Sequence, residues 1–521
     1  MISRRFPARR RIWPFLTGLV LVLAGIAYAY WTQTIVLFPA QQGIGGGSTT
    51  GDPIPEEVII QPEILHPDLL PAFPGAGGAG AATPGGRGGR VIEVTNLNDS
   101  GPGSLREAID TPGPRIVVFR VGGVIELQRP LIITDPYITI AGQTAPGGGI
   151  TLSGVNNQDG EMIILRNVHD VVIRYLRIRH GQLGEPGRGQ INIAIDSGTH
   201  NVVIDHVSLS WTLDENLMIH RNIPDGEDAD SWPEITGISI QRSLLAEGLH
   251  PHSTGIQLGG EVSVEGWYGV HDISIHQNLF VHNSHRNPGI GSLKTQVINN
   301  VIYNWSPRAG ETWRDIDVDW ISNVFKPGPM STTQRLLVHV AFPVNEPFNP
   351  WPAPSLYVNG NIAPPRFPDP GMDNWPMYLI HYLGIPLPEN FRRYEPLPFT
   401  AVPVEILSAG DAYISVLGDV GANARLGCDG SWIPNQDAVD QRLIRDVREG
   451  TGPESRPISD PAEVGGLPEI DPGVACPDAD HDGMPDEWEM VHPPLDPAKN
   501  DASGYDLHPD YTNIEVYLNG E

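Results

Sequence analysis

Six short segments in the middle of the chain look alike when laid in register: HDVVIRYLRI from His169, HNVVIDHVSL from His200, ITGISIQRSLL from Ile235, HDISIHQNLF from His271, TQVINNVIY from Thr295 and DVDWISNVF from Asp317. Each alternates apolar and polar residues and is rich in β-branched side chains, which is the pattern of a strand. Ile173, Ile204, Ile240, Ile275, Val297 and Trp320 hold equivalent positions, separated by 31, 36, 35, 22 and 23 residues. A single such unit cannot bury its own apolar face, so units recurring at this period must stack as rungs. The expected fold is all-β: a right-handed parallel β-helix with long loops. Asn278, Asn300 and Asn323 share one rung position, which predicts a ladder of side-chain amides at a turn.

Longer motifs carry a resemblance. The stretches FPGAGGAGAATPGGRGG (Phe73–Gly89), VTNLNDSGPGSLREAI (Val94–Ile109), IVVFRVGGVIEL (Ile116–Leu127), ITIAGQTAPGGGITL (Ile138–Leu152), VVIDHVSLSWTLDENL (Val202–Leu217), SHRNPGI (Ser284–Ile290) and VINNVIYNW (Val297–Trp305) run in one order. Together they resemble polysaccharide lyase family 1, the pectate lyases, and in particular its bacterial branch with an appended calcium motif. DAVDQRLIRDVREGTG (Asp437–Gly452) is similar to that family's closing helix. The resemblance implies a polysaccharide lyase that cleaves polygalacturonate by calcium-assisted β-elimination, with an acidic polysaccharide as partner and a monomer as the working form.

The formal charge of −29 excludes nucleic acid as a partner, because a phosphate binder needs a basic face. The same charge opposes a polyuronate unless cations or a basic groove intervene. Arg174, Arg177, Arg179, Arg242, Arg286, Lys294 and Arg308 fall among the rungs, either as such a groove or as scattered solvated strand ends. Glycine (59) and proline (51) make up about a fifth of the 521 residues, which suits rungs joined by many turns.

The basic start and the nineteen-residue apolar run Ile12–Tyr30 predict export. Two readings stay open: a signal cleaved after Ala27-Tyr28-Ala29, or a retained inner-membrane anchor with a cytoplasmic N-terminus. The expected organisation is a signal or anchor (1–38), a Pro/Gly-punctuated linker (39–70), the lyase-like β-helix (71–460) and a calcium-binding tail (461–521). Cys428 and Cys476 are the two cysteines, and in an exported protein they form one disulfide or stay as separate buried thiols.

Elimination from a uronic acid requires removing the proton α to a carboxylate and stabilising the enolate-like species that results. The family takes that proton with an arginine, and SHRNP puts Arg286 there. The alternative is that Arg286 clamps a substrate carboxylate, since a guanidinium ordinarily stays protonated. His285, Lys294 and Arg308 are the expected substrate-binding residues. For calcium in the β-helix, the family's acidic positions hold Asn192, Asp214 and Met218, so Asp214 and the adjacent Glu215 are the expected ligands of a depleted site. Asp205 matches a family aspartate of structural character. A lysine used by some relatives is absent, and Glu247, His250 and His252 occupy its region as candidate substrate contacts.

The tail carries DADHDGMPDEWE, which fits the calcium-loop pattern D-x-D-x-D-G-x5-E. Asp478, Asp480, Asp482, Asp486 and Glu489 fall at side-chain ligand positions, Met484 offers its backbone carbonyl and Gly483 permits the turn. Gly504–Glu515 reads as a decayed partner loop, with Pro509 where glycine is needed. Two other function classes fit the rungs: a non-catalytic carbohydrate-binding β-helix, and a β-helical hydrolase using Asp205, Asp214 and Glu215.

Overall fold

The computed structural model describes residues 69–157, 160–181, 190–223, 231–259, 269–313, 316–331, 338–341, 354–381, 389–398 and 402–520. The export segment and nearly all of the linker lie outside them. Among the described residues no helix is long and apolar enough to cross a membrane.

The chain winds through three parallel sheets of ten, eight and nine strands. Each full rung visits them in turn, as in His169–Arg174, Arg177–Arg179 and Ile193–Asp196. This is a parallel β-helix. The predicted register holds across the first sheet: Ile204 pairs with Ile173 and Ile240, Ile275 with Ile240 and Val297, and Val297 with Trp320. These side chains are fully buried in one column. Each aliphatic one contributes about 1.5–3 kcal/mol relative to exposure.

The look-alike segments, each read from the sequence as one strand, are not single strands. Each is two strands joined by a corner, and the corner residue takes the left-handed conformation: Tyr175, His206, Arg242, Gln277, Asn299 and Ser322 have φ between 45° and 57°. One such residue turns the chain from the first sheet into the second and shifts the inward positions by one, so that Ile173 is followed into the core by Leu176 and Ile178, and Ile204 by Val207 and Leu209.

The amide ladder stands at this corner and is longer than predicted. The backbone N–H and Nδ2 of Asn278 both donate to Oδ1 of Asn300, each at 3.0 Å. Asn300 does the same to Asn323, Asn323 to Asn361, and Asn361 to Asn374. All five side chains are buried.

Two sheets have covered outer faces. The glycine-rich strap Phe73–Gly89 lies across the first sheet, where the Gly77, Ala79, Gly80 and Gly86 N–H groups donate to side-chain oxygens of Gln241, Ser274, Ser239 and Thr139. A Cβ on Gly86 would sit 1.9 Å from the Arg115 carbonyl oxygen, so only glycine permits that approach. The Ala438–Glu449 helix, capped by Asp437 and ended by Gly450 in the left-handed conformation, packs Leu443, Ile444 and Val447 on the second sheet. Its acids hold the rungs. Arg179 donates to both Asp437 and Asp440 at 2.8–2.9 Å, and Ser208 donates to Asp440.

Cys428 and Cys476 form a disulfide. The tail beyond it packs Met484, Trp488, Ile514 and Tyr517 against Ile116 and Val118 of the first sheet. Its calcium-loop sequence is not flanked by a helix pair: the segment before it is irregular and Asp486–Glu489 is a single turn. The presumed partner loop is irregular until the Asn513–Asn519 helix begins at a Thr512–Glu515 capping box.

Candidate active site

Arg286 sits where the chain enters the third sheet. Its backbone is fixed by the neighbouring rungs: the Gly255 N–H donates to the His285 carbonyl, Ile256 to that of Arg286, and Asn287 to that of Ala309. The residue takes φ +56°, a conformation that costs a non-glycine residue about 1–2 kcal/mol. The sheet over-determines it there. Gly289 leaves room for the side chain, since a Cβ at that position would meet Arg286 Cγ at 2.8 Å.

The Arg286 side chain is 18% exposed, and its guanidinium is surrounded by oxygen acceptors. Its Nη1 donates to Glu215 Oε1 and, at 2.5 Å, to Gln257 Oε1. Its Nε lies 3.5 Å from Glu311 Oε1. Gln257, Gly289 and Glu311 form one column in register, so three rungs build the cradle.

Asp214, Glu215 and His252 bring one ligand atom each to within 4.8 Å of one another. Hydrogen bonds from Thr212 and Thr254 to the Asp214 carbonyl pin the backbone beneath them. Burial, and then the hydrogen bond and charge of Asp214, push the Glu215 carboxyl up to about 8 against the pull of Arg286. Burial also works to raise Asp214, but hydrogen bonds with His252 and Glu215 and the Arg286 charge hold it below its ordinary range. The donor set fits a cation: two carboxylates and an imidazole converge on one point, although carboxylate oxygens suit calcium better than a ring nitrogen does.

The other expected site residues divide. His285 and Arg308 join the cluster through Glu311, at 4.0 Å and 2.5 Å. Burial, with the charges of Arg308, Arg286 and His252, pushes His285 down to about 3, so its ring is neutral near pH 7. Lys294 stands apart, on the first sheet, 3.9 Å from Asp272. Asn192 does not join this cluster but is fully buried, donating to the Ser210 carbonyl and to Asn216. Met218 does face outward, paired in register with Ala194 and Gln257. Asp205 is buried against Arg174 and His206, away from Asp214, so the three carboxylates considered for hydrolysis do not form one group.

Glu247 is buried and committed to Arg442 and the Trp211 indole N–H, which removes it as a substrate contact. His252 does reach the site, 2.8 Å from Asp214. His250 is exposed, and its N–H bonds the Ile458 carbonyl. The seven rung cations do not make one groove. Arg177 and Arg179 are buried against Asp437 and Asp440, Arg174 against Asp205, and Arg242 lies near Asp419. Gln257 and Glu311 were not singled out in the sequence. The one available signal was their outward parity in TGIQL and GETW.

In the tail, Asp478, Asp480 and Asp482 converge within 4.8 Å, as do Asp482, Glu489 and Asp501. Burial and the surrounding carboxylates push Asp482 up to about 7 and Glu489 up to about 8. The Met484 side chain is buried in the tail core, while Asp486 accepts from the Ala479 N–H at 2.8 Å.

No family model matches the chain. It is 35% identical to "Probable pectate lyase C" of Aspergillus flavus over 462 residues, covering 88% of this chain and 95% of that protein. Its identity to the protein of the same name from Aspergillus oryzae is also 35%, with the same coverage. Among solved structures, the major cedar pollen allergen Jun a 1 is similar at a TM-score of 0.47 and 19% identity, covering 66% of this chain and 92% of that one. One third identity to the Aspergillus proteins, nearly end to end, establishes that this chain belongs to the pectate lyase family, polysaccharide lyase family 1.

Proposed function

We propose that this lyase acts outside the cytoplasm on pectate, an α-1,4-linked galacturonan, by calcium-assisted β-elimination. The observation that carries the reading is the Arg286 cradle: a partly exposed arginine side chain whose guanidinium is held by Glu215, Gln257 and Glu311 from three neighbouring rungs. Arg286 takes the C5 proton, α to the uronate carboxylate. The electron pair left behind forms the C4–C5 double bond, the C4–O bond breaks, and the departing oxygen acquires a proton. Arg308 and the neutral His285 ring border the same position and would contact the substrate.

Asp214 and Glu215, with His252 beside them, would hold the calcium ion, which when bound supplies positive charge to the uronate carboxylate. So few protein ligands leave room for substrate oxygens and water in the shell. Base chemistry at this position requires the guanidine in its neutral form. Lys294, remote from this cluster, would touch the polysaccharide only along the neighbouring face. The tail motif supports the bacterial-branch reading, and the Ile12–Tyr30 run supports export.

The test is the product. Purified protein on polygalacturonate should release ultraviolet-absorbing unsaturated ends, with less release in chelator. Arg286→Lys keeps the charge but loses the planar fork, and should lose about 10²–10⁴-fold in kcat with KM little changed, the range for a lost general base. A parallel rise in KM would make Arg286 a clamp, and saturated ends would overturn elimination.

A further inference from the structure

Beyond the loop motif, a fifth acid closes on the tail cluster. Asp501 belongs to a separate turn, yet its carboxylate converges with those of Asp482 and Glu489. It is anchored from both sides: its N–H donates to Asp482 Oδ2 at 3.2 Å, and its carbonyl accepts from Asn513 Nδ2 at 2.8 Å. Glu489 is fully buried, and neither of its carboxylate oxygens has a hydrogen-bond partner. Both Asp480 oxygens and Asp501 Oδ1 are buried and unpartnered as well. Five carboxylates thus share one small volume. Among the described residues the guanidinium facing them is Arg120, 3.3 Å from Asp478. An arrangement with this many desolvated anions is unfavourable unless a cation joins it.

We infer that the tail binds a hard divalent cation of the calcium class in a discontinuous shell, in which Asp501 supplies the ligand that Asp486 does not. Asp486 is spent on the Ala479 N–H, whereas Asp501 points an unpartnered oxygen into the cluster. The cation joins the Asp478–Glu489 loop to the segment that leads into the Asn513–Asn519 helix. It also tightens the tail's hold on the first rungs, because Arg120 bridges Asp478 to Glu93 and donates to the Cys476 carbonyl. This inference rests on reading the loop as a calcium site.

The experiment uses the full chain carrying Asp214→Asn and Glu215→Gln, so that the calcium measured belongs to the tail. Calcium titration and melting, each with calcium and with chelator, compare this parent with Asp480→Asn and Asp501→Asn. Asp501→Asn should weaken calcium binding about tenfold or more, as loss of an anionic ligand does, and lose most of the calcium-dependent rise in Tm. In chelator its Tm should match or exceed the parent's, because one repelling charge is gone. If Asp480→Asn loses calcium but Asp501→Asn binds it like the parent, the discontinuous shell is wrong and the loop site stands. Equal destabilisation of Asp501→Asn with and without calcium would make Asp501 merely structural and also overturn the inference. A parent indifferent to calcium would remove the loop reading itself.

Discussion

Arg286 and Gln257 meet across the third sheet, with Arg286 Nη1 donating to Gln257 Oε1 at 2.5 Å. Gln257 is the neutral member of the cradle. It orients the guanidinium without placing a further charge beside it, whereas Glu215 and Glu311 are carboxylates.

Replacing Gln257 with leucine should therefore lower kcat about tenfold through lost positioning. Gln257→Glu should cost more, about hundredfold, because it adds a carboxylate that stabilises the charged arginine. Steady-state kinetics on polygalacturonate at fixed calcium checks both, with circular dichroism to verify folding.

Asn300→Ala should destabilise the solenoid by about 3 kcal/mol. The substitution strands the Asn278 amides and the Ile275 and Ile298 carbonyls, all bonded to that one side chain, and each buried orphan costs about 1–3 kcal/mol. Thermal melting measures the loss. A change below about 1 kcal/mol would mean that water replaces the amide.

The tail should make stability depend on pH in the absence of calcium and lose that dependence in its presence. Asp482 and Glu489 are raised to about 7 and about 8 from ordinary values of 3.8 and 4.5. Between about pH 4 and 8 the calcium-free folded state therefore holds more protons than the unfolded chain, and its stability falls as pH rises. Melting in chelator should drop by several degrees from about pH 5 to 8, while calcium should abolish the drop.

Replacing both Cys428 and Cys476 by serine should cost up to about 4 kcal/mol, the chain-entropy value for a bridge spanning 48 residues. The tail should become the first region cleaved by protease, which mass spectrometry of the early fragments would show.

The stacking of the rungs was legible because inward residues such as Ile204 and Ile240 repeat at positions that pair in the structure. The corners were missed although they leave a trace: the inward positions slip by one there, from Val171 and Ile173 to Leu176 and Ile178 and from Ile273 and Ile275 to Phe280, a break too short to stand out within a single segment. Arg286 and Glu215 could be named from motifs, but not their contact, since nothing local encodes which rungs become neighbours. Arg177 and Arg179 looked like candidate groove cations. Their acidic partners Asp437 and Asp440 come from a helix far along the chain, and burial by that helix has no periodic signal. Asp501 escaped for a similar reason: it follows the loop motif instead of lying within it.

The asparagine ladder has a direction, and it has an end. Every step points donors toward the following rung, so a solenoid stopped at Asn361 would present two amide donors at its open edge, ready to recruit another chain. Asn374 accepts both, then turns its own Nδ2 back to the carbonyls of Asn361 and Met372 at 3.1 and 3.0 Å. The ladder thus closes within the chain itself, its last donors taken by a residue that stands outside the repeat.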